Sequence, residues 1–257
     1  MNKSSIEWCT HVWNPITGCT HVSLGCEKCY ASAIAKRFWG ERKFSDVRCH
    51  PERLLQSFPK KPARIFLNSM GDLFHPLVPT TFIDDVLEVI AAHPEHTFIV
   101  LTKRPELIDE KLYGSTVGNA HRCLGGGDYL PNLWLGVSVE DQRTADIRIS
   151  ILLQTLAAKR IISIEPMLEE VKLRSIWNDY LEGWDSNIDS DREPYQYQTE
   201  KIDWVICGRE TGSGARPFNL DWARSARDQC VSASVPFFYK NGLLDGVEWH
   251  QFPGVQS

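Results

Sequence analysis

The chain lacks any run of about eighteen consecutive apolar residues, the length a membrane-crossing helix needs, so no span of that kind is expected. Its first residues, Met1 to Trp8, contain no apolar core of the sort a secretory leader carries. Positive charge is not in surplus. With 28 Lys and Arg against 33 Asp and Glu, the net charge is −5, which excludes a uniformly basic nucleic-acid coat and confines any basic surface to a local patch. No Gly-Lys-Ser/Thr ending follows the glycine-rich strings, so they are not a P-loop. Internal repeats and low-complexity segments are missing as well. Together these absences lead us to expect a cytoplasmic protein without a membrane partner. In that compartment its eight cysteines serve as metal ligands and free thiols, not as a disulfide framework.

Large buried surfaces are present. Of 257 residues 42% are hydrophobic, with nine Trp and eleven Phe, enough for a sizeable core in one large domain or two small ones. From residue 64 onward short β-branched runs recur: Arg64–Met70, Thr97–Lys103, Leu133–Val139, Arg160–Glu165, Asp203–Cys207 and Val235–Lys240. Each reads as a strand buried on both faces. Their spacing of roughly 30–40 residues is that of a βα unit. Amphipathic segments fall between them: Thr80–Ala92, Asp141–Ala157, and Leu220–Ser232 behind a capping Asn219. The expected fold is therefore α/β, a parallel βα barrel of about six to eight strands, incomplete and forming one domain over 1–257. An acidic stretch, Trp177–Lys201, reads as an insertion, and Gly125-Gly126-Gly127-Asp128 as a loop.

Polar residues gather where the runs end. Asn68, Ser69 and Asp72 follow the first; Thr102, Lys103 and Arg104 close the second; Ser138 and Glu140 the third; Glu165 the fourth; Arg209 and Glu210 follow the fifth. Parallel α/β folds bind ligands at the carboxyl ends of their strands. One such ending is commonly a solvated loop, but five in succession line a mouth. Gly208 to Arg216 adds a second candidate: glycines free the backbone to wrap an anion, and Arg209 and Arg216 supply forked donors for phosphate or carboxylate.

The densest chemical signal precedes the strands. Cys19, Cys26 and Cys29 stand in a loop at about residues 9–30 that also holds Gly18 and Gly25. Two thiolates at C-x2-C spacing and a third seven residues earlier form a tripod. Three ligands leave one position open, as in an iron–sulfur cube with a reactive iron. Closed by His21, Cys9, His11 or Cys49, the same cysteines would make a structural zinc knuckle. A helix beginning near Tyr30 would set Cys29 at its N-terminus, where the helix dipole favours a thiolate.

Several strings resemble an uncharacterised phage family, gene products thirty-seven/sixty-eight. They are Ile6-Glu7-Trp8, Trp13-Asn14-Pro15, Gly18-Cys19-Thr20, Cys29-Tyr30-Ala31, Asn68-Ser69-Met70, Asp72-Leu73-Phe74-His75, Leu101 to Pro105, Trp134 to Glu140, Glu165-Pro166 and Gly214 to Pro217. The cysteine loop and strand endings are in turn similar to radical S-adenosylmethionine (SAM) enzymes of the spore-photoproduct-lyase type, with C-x6-C-x2-C here in place of C-x3-C-x2-C. That resemblance implies a 4Fe–4S cluster on Cys19, Cys26 and Cys29 and SAM bound by Asn68, Ser69, Asp72, Ser138 and Glu140. It also implies catalytic roles for Lys103 and Glu165, an electron donor for the cluster, and a SAM-derived radical that takes hydrogen from substrate. The substrate expected from Arg209 and Arg216 is anionic, most simply a nucleotide or nucleic acid. Two other expectations stand beside this one: a zinc-stabilised barrel that binds nucleic acid or protein in a phage programme, and an enzyme of another class, such as a nucleotide hydrolase, with structural cysteines.

Overall fold

In a computed structural model, the structure describes residues 1–113, 130–173, 178–179, 181, 184–185, 201–212 and 214–254. Cys123, the Gly125–Asp128 loop and most of the acidic stretch 177–201 lie outside the described residues. The fold is mixed α/β with mostly parallel strands. The chain divides into two compact units, Met1–Gly136 with Thr155–Ala158, and Val137–Gln154 with Lys159–Ser257.

The first unit begins with strands that the apolar pattern does not announce. β1 (Asn2–Lys3) pairs antiparallel with β2 (His11–Trp13). β3 (Ile16–Thr17) pairs antiparallel with β4 (Arg48–Cys49), and α1 (Tyr30–Phe38) lies between them in sequence. The expected units follow as β5 (Arg64–Leu67), α2 (Thr80–Ala91), β6 (Thr97–Thr102), the short α3 (Ile108–Tyr113) and β7 (Leu133–Val139). β2, β5 and β6 run parallel, and the strand order is β1-β2-β5-β6-β7. β5 and β6 end earlier than their apolar runs, whereas β7 fills its run. Asn68 takes a left-handed φ of 60°, which stops β5 and turns the chain away.

Two helices of this unit differ in what they bury. α2 turns Phe82, Ile83, Val86, Leu87 and Ile90 inward. Each such side chain contributes about 1.5–3 kcal/mol relative to exposure. α1 buries only Ala31 and Ala35.

The second unit takes up β7 from Val137 onward. It continues with α4 (Gln142–Gln154), β8 (Arg160–Ile164), a short antiparallel pair β9 (Asn178–Asp179) and β10 (Trp184–Asp185), and then β11 (Trp204–Cys207). α5 (Leu220–Ser232), β12 (Phe237–Leu244) and β13 (Val247–His250) complete it. β8, β11 and β12 are parallel, in the order β7-β8-β11-β12-β13. Asp141 caps α4, accepting from Thr144 N at 2.7 Å, and Asn219 caps α5, accepting from Asp221 N at 2.9 Å.

The all-parallel expectation needs correction at this edge. β12 runs on past Lys240 and folds back as an antiparallel hairpin with β13. Asp245 and Gly246, at φ 55° and 79°, make its two-residue turn. Among the described residues no helix is long and apolar enough to cross a membrane.

Candidate active site

In the first unit the cysteine loop is fastened to the carboxyl ends of parallel strands. Gly18 N donates to Met70 O at 2.8 Å, and Cys19 N donates to Phe44 O at 2.9 Å. Gly18 has φ 95°, and a Cβ there would fall 2.5 Å from Asp46 O, so only glycine fits this crossing. Asn14 Oδ1 accepts from Ser69 Oγ at 3.1 Å and Met70 N at 2.9 Å. Asn68 Oδ1 accepts from Ile16 N at 3.1 Å, while its buried Nδ2 has no acceptor among the described residues. Tyr30 OH donates to Ser69 O at 2.7 Å and pins the start of α1 to the end of β5.

Arg104 is the hub of this arrangement. Its Nη1 donates to Asp72 Oδ2 at 3.0 Å and to Cys19 Sγ at 3.3 Å; its Nη2 donates to Thr20 O at 2.8 Å and Thr20 Oγ1 at 2.9 Å. Asp72 is filled from the other side. Thr102 Oγ1 donates to its carboxylate at 2.8 and 3.0 Å, and Phe74 N does so at 3.0 Å. His75 Nδ1 accepts from Leu77 N at 3.2 Å, which leaves Nε2 as the donor to Thr20 Oγ1 at 2.9 Å.

Burial, then the charge on Arg104, holds His75 below its ordinary value and neutral. Burial, then the Asp72 carboxylate, raises the Cys19 thiol, against the opposing charge and hydrogen bond of Arg104. Burial opposes the charge on Arg104 too, but Asp72 and Cys19 outweigh it and the group is held cationic.

Of the residues expected at this site, Asn68, Ser69, Asp72 and Cys19 are brought together, although their side chains largely serve one another. Arg104, one residue beyond the expected Lys103, is the cation at the centre; Lys103 is half-exposed. Cys26 closes a short 3-10 turn, Leu24–Cys26, and Cys29 is the N-cap of α1. Cys26 is near enough to Cys19 to act on its titration. All seven described cysteines are free thiols. Among the described residues no group of three His, Cys, Asp or Glu side chains is gathered closely enough to hold a metal ion.

The second unit presents a row of a different kind. Ile164, Cys207 and Tyr239 are register partners on β8, β11 and β12, so the next residues, Glu165, Gly208 and Lys240, form the following row at the carboxyl ends. A Cβ on Gly208 would sit 3.4 Å from Glu165 Cδ and from Lys240 Cδ. With no side chain in the middle, Lys240 Nζ reaches across to donate to Glu165 Oε1. The helices cover the other face. Arg160 Nε donates to Leu152 O of α4 at 3.3 Å, and Cys207 is close enough to Cys230 of α5 to act on its titration. Side chains alternate along a strand, so Glu165 and Lys240 belong to the face turned away from α4 and α5.

Ser138 and Glu140, expected on a ribose, are held by Arg148. Its Nη1 donates to Ser138 O at 2.7 Å and to Glu140 Oε2 at 2.9 Å, a buried ion pair. Arg216 forks onto Glu210, with Nη2 to Oε1 at 2.5 Å and Nε to Oε2 at 3.1 Å, and its own N–H bonds the same carboxylate. Arg209 is exposed, its backbone N–H donating to Asn241 Oδ1 at 2.8 Å. Lys240 had a readable signal, since it ends the sixth buried run just as Glu165 ends the fourth. Arg148 lies mid-helix and Thr20 inside the cysteine loop, where sequence offers no cue.

These features define a mixed α/β protein with polar networks at the carboxyl ends of parallel strands and a three-cysteine loop fastened to one of them. The family model described as Protein of unknown function (DUF5131) matches residues 3–252, and the chain belongs to that family. No curated protein and no solved structure matches it.

Proposed function

We propose that this chain is an iron–sulfur, SAM-dependent radical enzyme of the cytoplasm, built on an incomplete parallel βα barrel and acting on an anionic substrate. One observation carries the reading: Arg104 ties Cys19 to Asp72 and Thr102, so the cysteine loop lies at the strand ends where ligands bind in such folds. The donor set suits the group. Cys19, Cys26 and Cys29 are reduced, half-exposed thiols on one short loop, soft ligands of the type that hold iron–sulfur clusters. Since the three are not gathered as they stand, binding requires the loop to close on the cluster. When bound, the cluster and SAM supply one-electron chemistry.

The chain's own residues hold and orient. Arg104 directs an N–H at Cys19 Sγ, a hydrogen bond that stabilises a thiolate ligand. Asp72 fixes Arg104, and Asn68 Nδ2 offers a buried donor for a ligand oxygen. In the second unit Lys240 and Glu165 form an acid–base couple reachable from solvent, in which a proton can be held or passed at Nζ or Oε1. Arg209 remains available to an anionic substrate, whereas Arg216 shapes the glycine-rich turn by holding Glu210.

The test is anaerobic reconstitution with iron and sulfide, followed by absorption and electron paramagnetic resonance spectra, metal analysis and SAM-binding calorimetry. A brown protein with about four irons, lost in each Cys→Ala variant at 19, 26 and 29, is the expected result. A colourless protein holding one zinc on the same cysteines would overturn it.

A further inference from the structure

The helix that follows the cysteines is turned the wrong way round for a globular protein. α1 buries two alanines and exposes its bulky residues: Tyr30 at 44%, Ile34 at 41% and Phe38 at 67%. At 3.6 residues per turn these three and Arg37 fall within an arc of about 100°. Val22 and Leu24 in the cysteine loop are exposed as well. Among the described residues, five of the twelve exposed large hydrophobics therefore fall within residues 22–38. α2 of the same unit buries the equivalent stripe, so the difference is not set by the size of the core. Exposed apolar residues scattered singly need no account, but a contiguous patch marks a binding surface.

Its charge is also unlike the rest of the chain. Between residues 27 and 48 stand six cations (Lys28, Lys36, Arg37, Arg42, Lys43, Arg48) and three carboxylates (Glu27, Glu41, Asp46), a local balance of +3 in a chain of −5. Lys28, Lys36, Arg37 and Lys43 are exposed, as are Glu27 and Glu41. Asp46 is engaged by Arg48 at 2.5 Å and Arg42 at 3.5 Å.

We propose that the outer face of α1, with the adjoining cysteine loop, binds single-stranded nucleic acid. Single strands are held by aromatic faces on which bases stack and by cations that follow the phosphates. The Arg37 guanidinium sits 5.1 Å from the centroid of the Phe38 ring, so a base platform and a phosphate fork stand side by side. The Tyr30 ring is half-exposed and held in place through its hydroxyl bond to Ser69 O. Tyr30 and Phe38 are eight residues apart, about 12 Å along the helix, room for more than one nucleotide between them. The proposal deepens the reading of an anionic substrate and rests on it for the meaning of the site, but the binding itself needs no metal.

The experiment uses the full-length, metal-free protein and a fluorescein-labelled 12-nucleotide oligothymidylate or oligouridylate, followed by anisotropy at several salt concentrations. Binding should weaken with salt at a log–log slope of about −0.7 per phosphate contact. Phe38→Ala should weaken binding on the order of tenfold. Lys36→Glu with Arg37→Glu should weaken it further and flatten the slope. All three residues are exposed, and circular dichroism should confirm an unchanged fold. Failure of the wild type to bind either oligonucleotide at low salt overturns the proposal, and an acidic protein then becomes the partner this basic apolar face suits. Binding unchanged by both variants overturns it too. Because no iron is present, a failed cluster reconstitution leaves this result standing, and the reverse holds as well.

Discussion

Two charged pairs at strand ends, Arg104 with Asp72 in the first unit and Lys240 with Glu165 in the second, are set in opposite ways. In the first, Arg104 and Asp72 have side chains 4% and 6% exposed, and that carboxylate accepts from Phe74 N, Thr102 Oγ1 and Arg104 Nη1. In the second, Lys240 and Glu165 are 21% and 25% exposed and hold each other across a glycine. A saturated buried network is rigid and resists exchange, because breaking one bond leaves a charge in low dielectric. A pair that water reaches can trade its partner for a ligand at little cost. The first network thus holds the cysteine loop in place, and the second pair is open to exchange with a ligand.

The largest effect expected from that contrast is on stability. Arg104→Ala strands the Asp72 carboxylate and should destabilise the protein by about 3–5 kcal/mol, read as a lowered denaturation midpoint. It should also release iron from reconstituted protein, whereas Arg104→Lys, with one donor group in place of a fork, should retain part of both. Unaltered iron content in a folded Arg104→Ala protein would separate the network from the cysteine loop.

Next comes Glu140→Ala, which strands Arg148 in the second unit and should cost about 3 kcal/mol or more with the cluster spectrum unchanged. Loss of iron in this variant would erase the distinction between the units. Lys240→Met and Glu165→Gln should each shift stability by less than about 1 kcal/mol while abolishing turnover. A fall in stability as large as that of Arg104→Ala would make the row structural.

The smallest effect is that of pH on the turn that Leu77 N–H closes by donating to His75 Nδ1. His75 has a folded value depressed below its ordinary 6.5, so the stabilisation from its neutral ring is complete above about 6.5 and is lost as pH falls through the lower folded value, where a protonated Nδ1 no longer accepts. Hydrogen exchange at Leu77 should quicken on acidification, and His75→Gln should remove that pH dependence.

Much of the α/β rhythm was legible because a strand buried on both faces leaves an unbroken apolar run. β7 and α5 appear with the expected bounds, and Asn219 caps as expected. The short strands β1 to β4 were not legible, since two or three residues cannot show a period. The hairpin after Lys240 was marked only by Asp245-Gly246, a local turn signal outside the βα rhythm. Residue type marked the strand ends at which polar networks form, but not which position joins a network: Arg104, next to Lys103, bonds Asp72, and Arg216 serves Glu210.

By itself the sequence determined the alternation of strands and helices, the carboxyl-end clustering of polar residues and the short loop that carries three thiols. These follow from burial, side-chain alternation and chain spacing, which are local properties. Only the tertiary structure decided which charges are spent on each other and which face solvent. Pairings such as Arg104 with Cys19, 85 residues apart, and Lys240 with Glu165, 75 apart, depend on strand register and on what else fills the space. It also decided that α1 turns Tyr30, Ile34 and Phe38 outward. An amphipathic pattern says that one face is apolar, but only packing determines whether that face is covered.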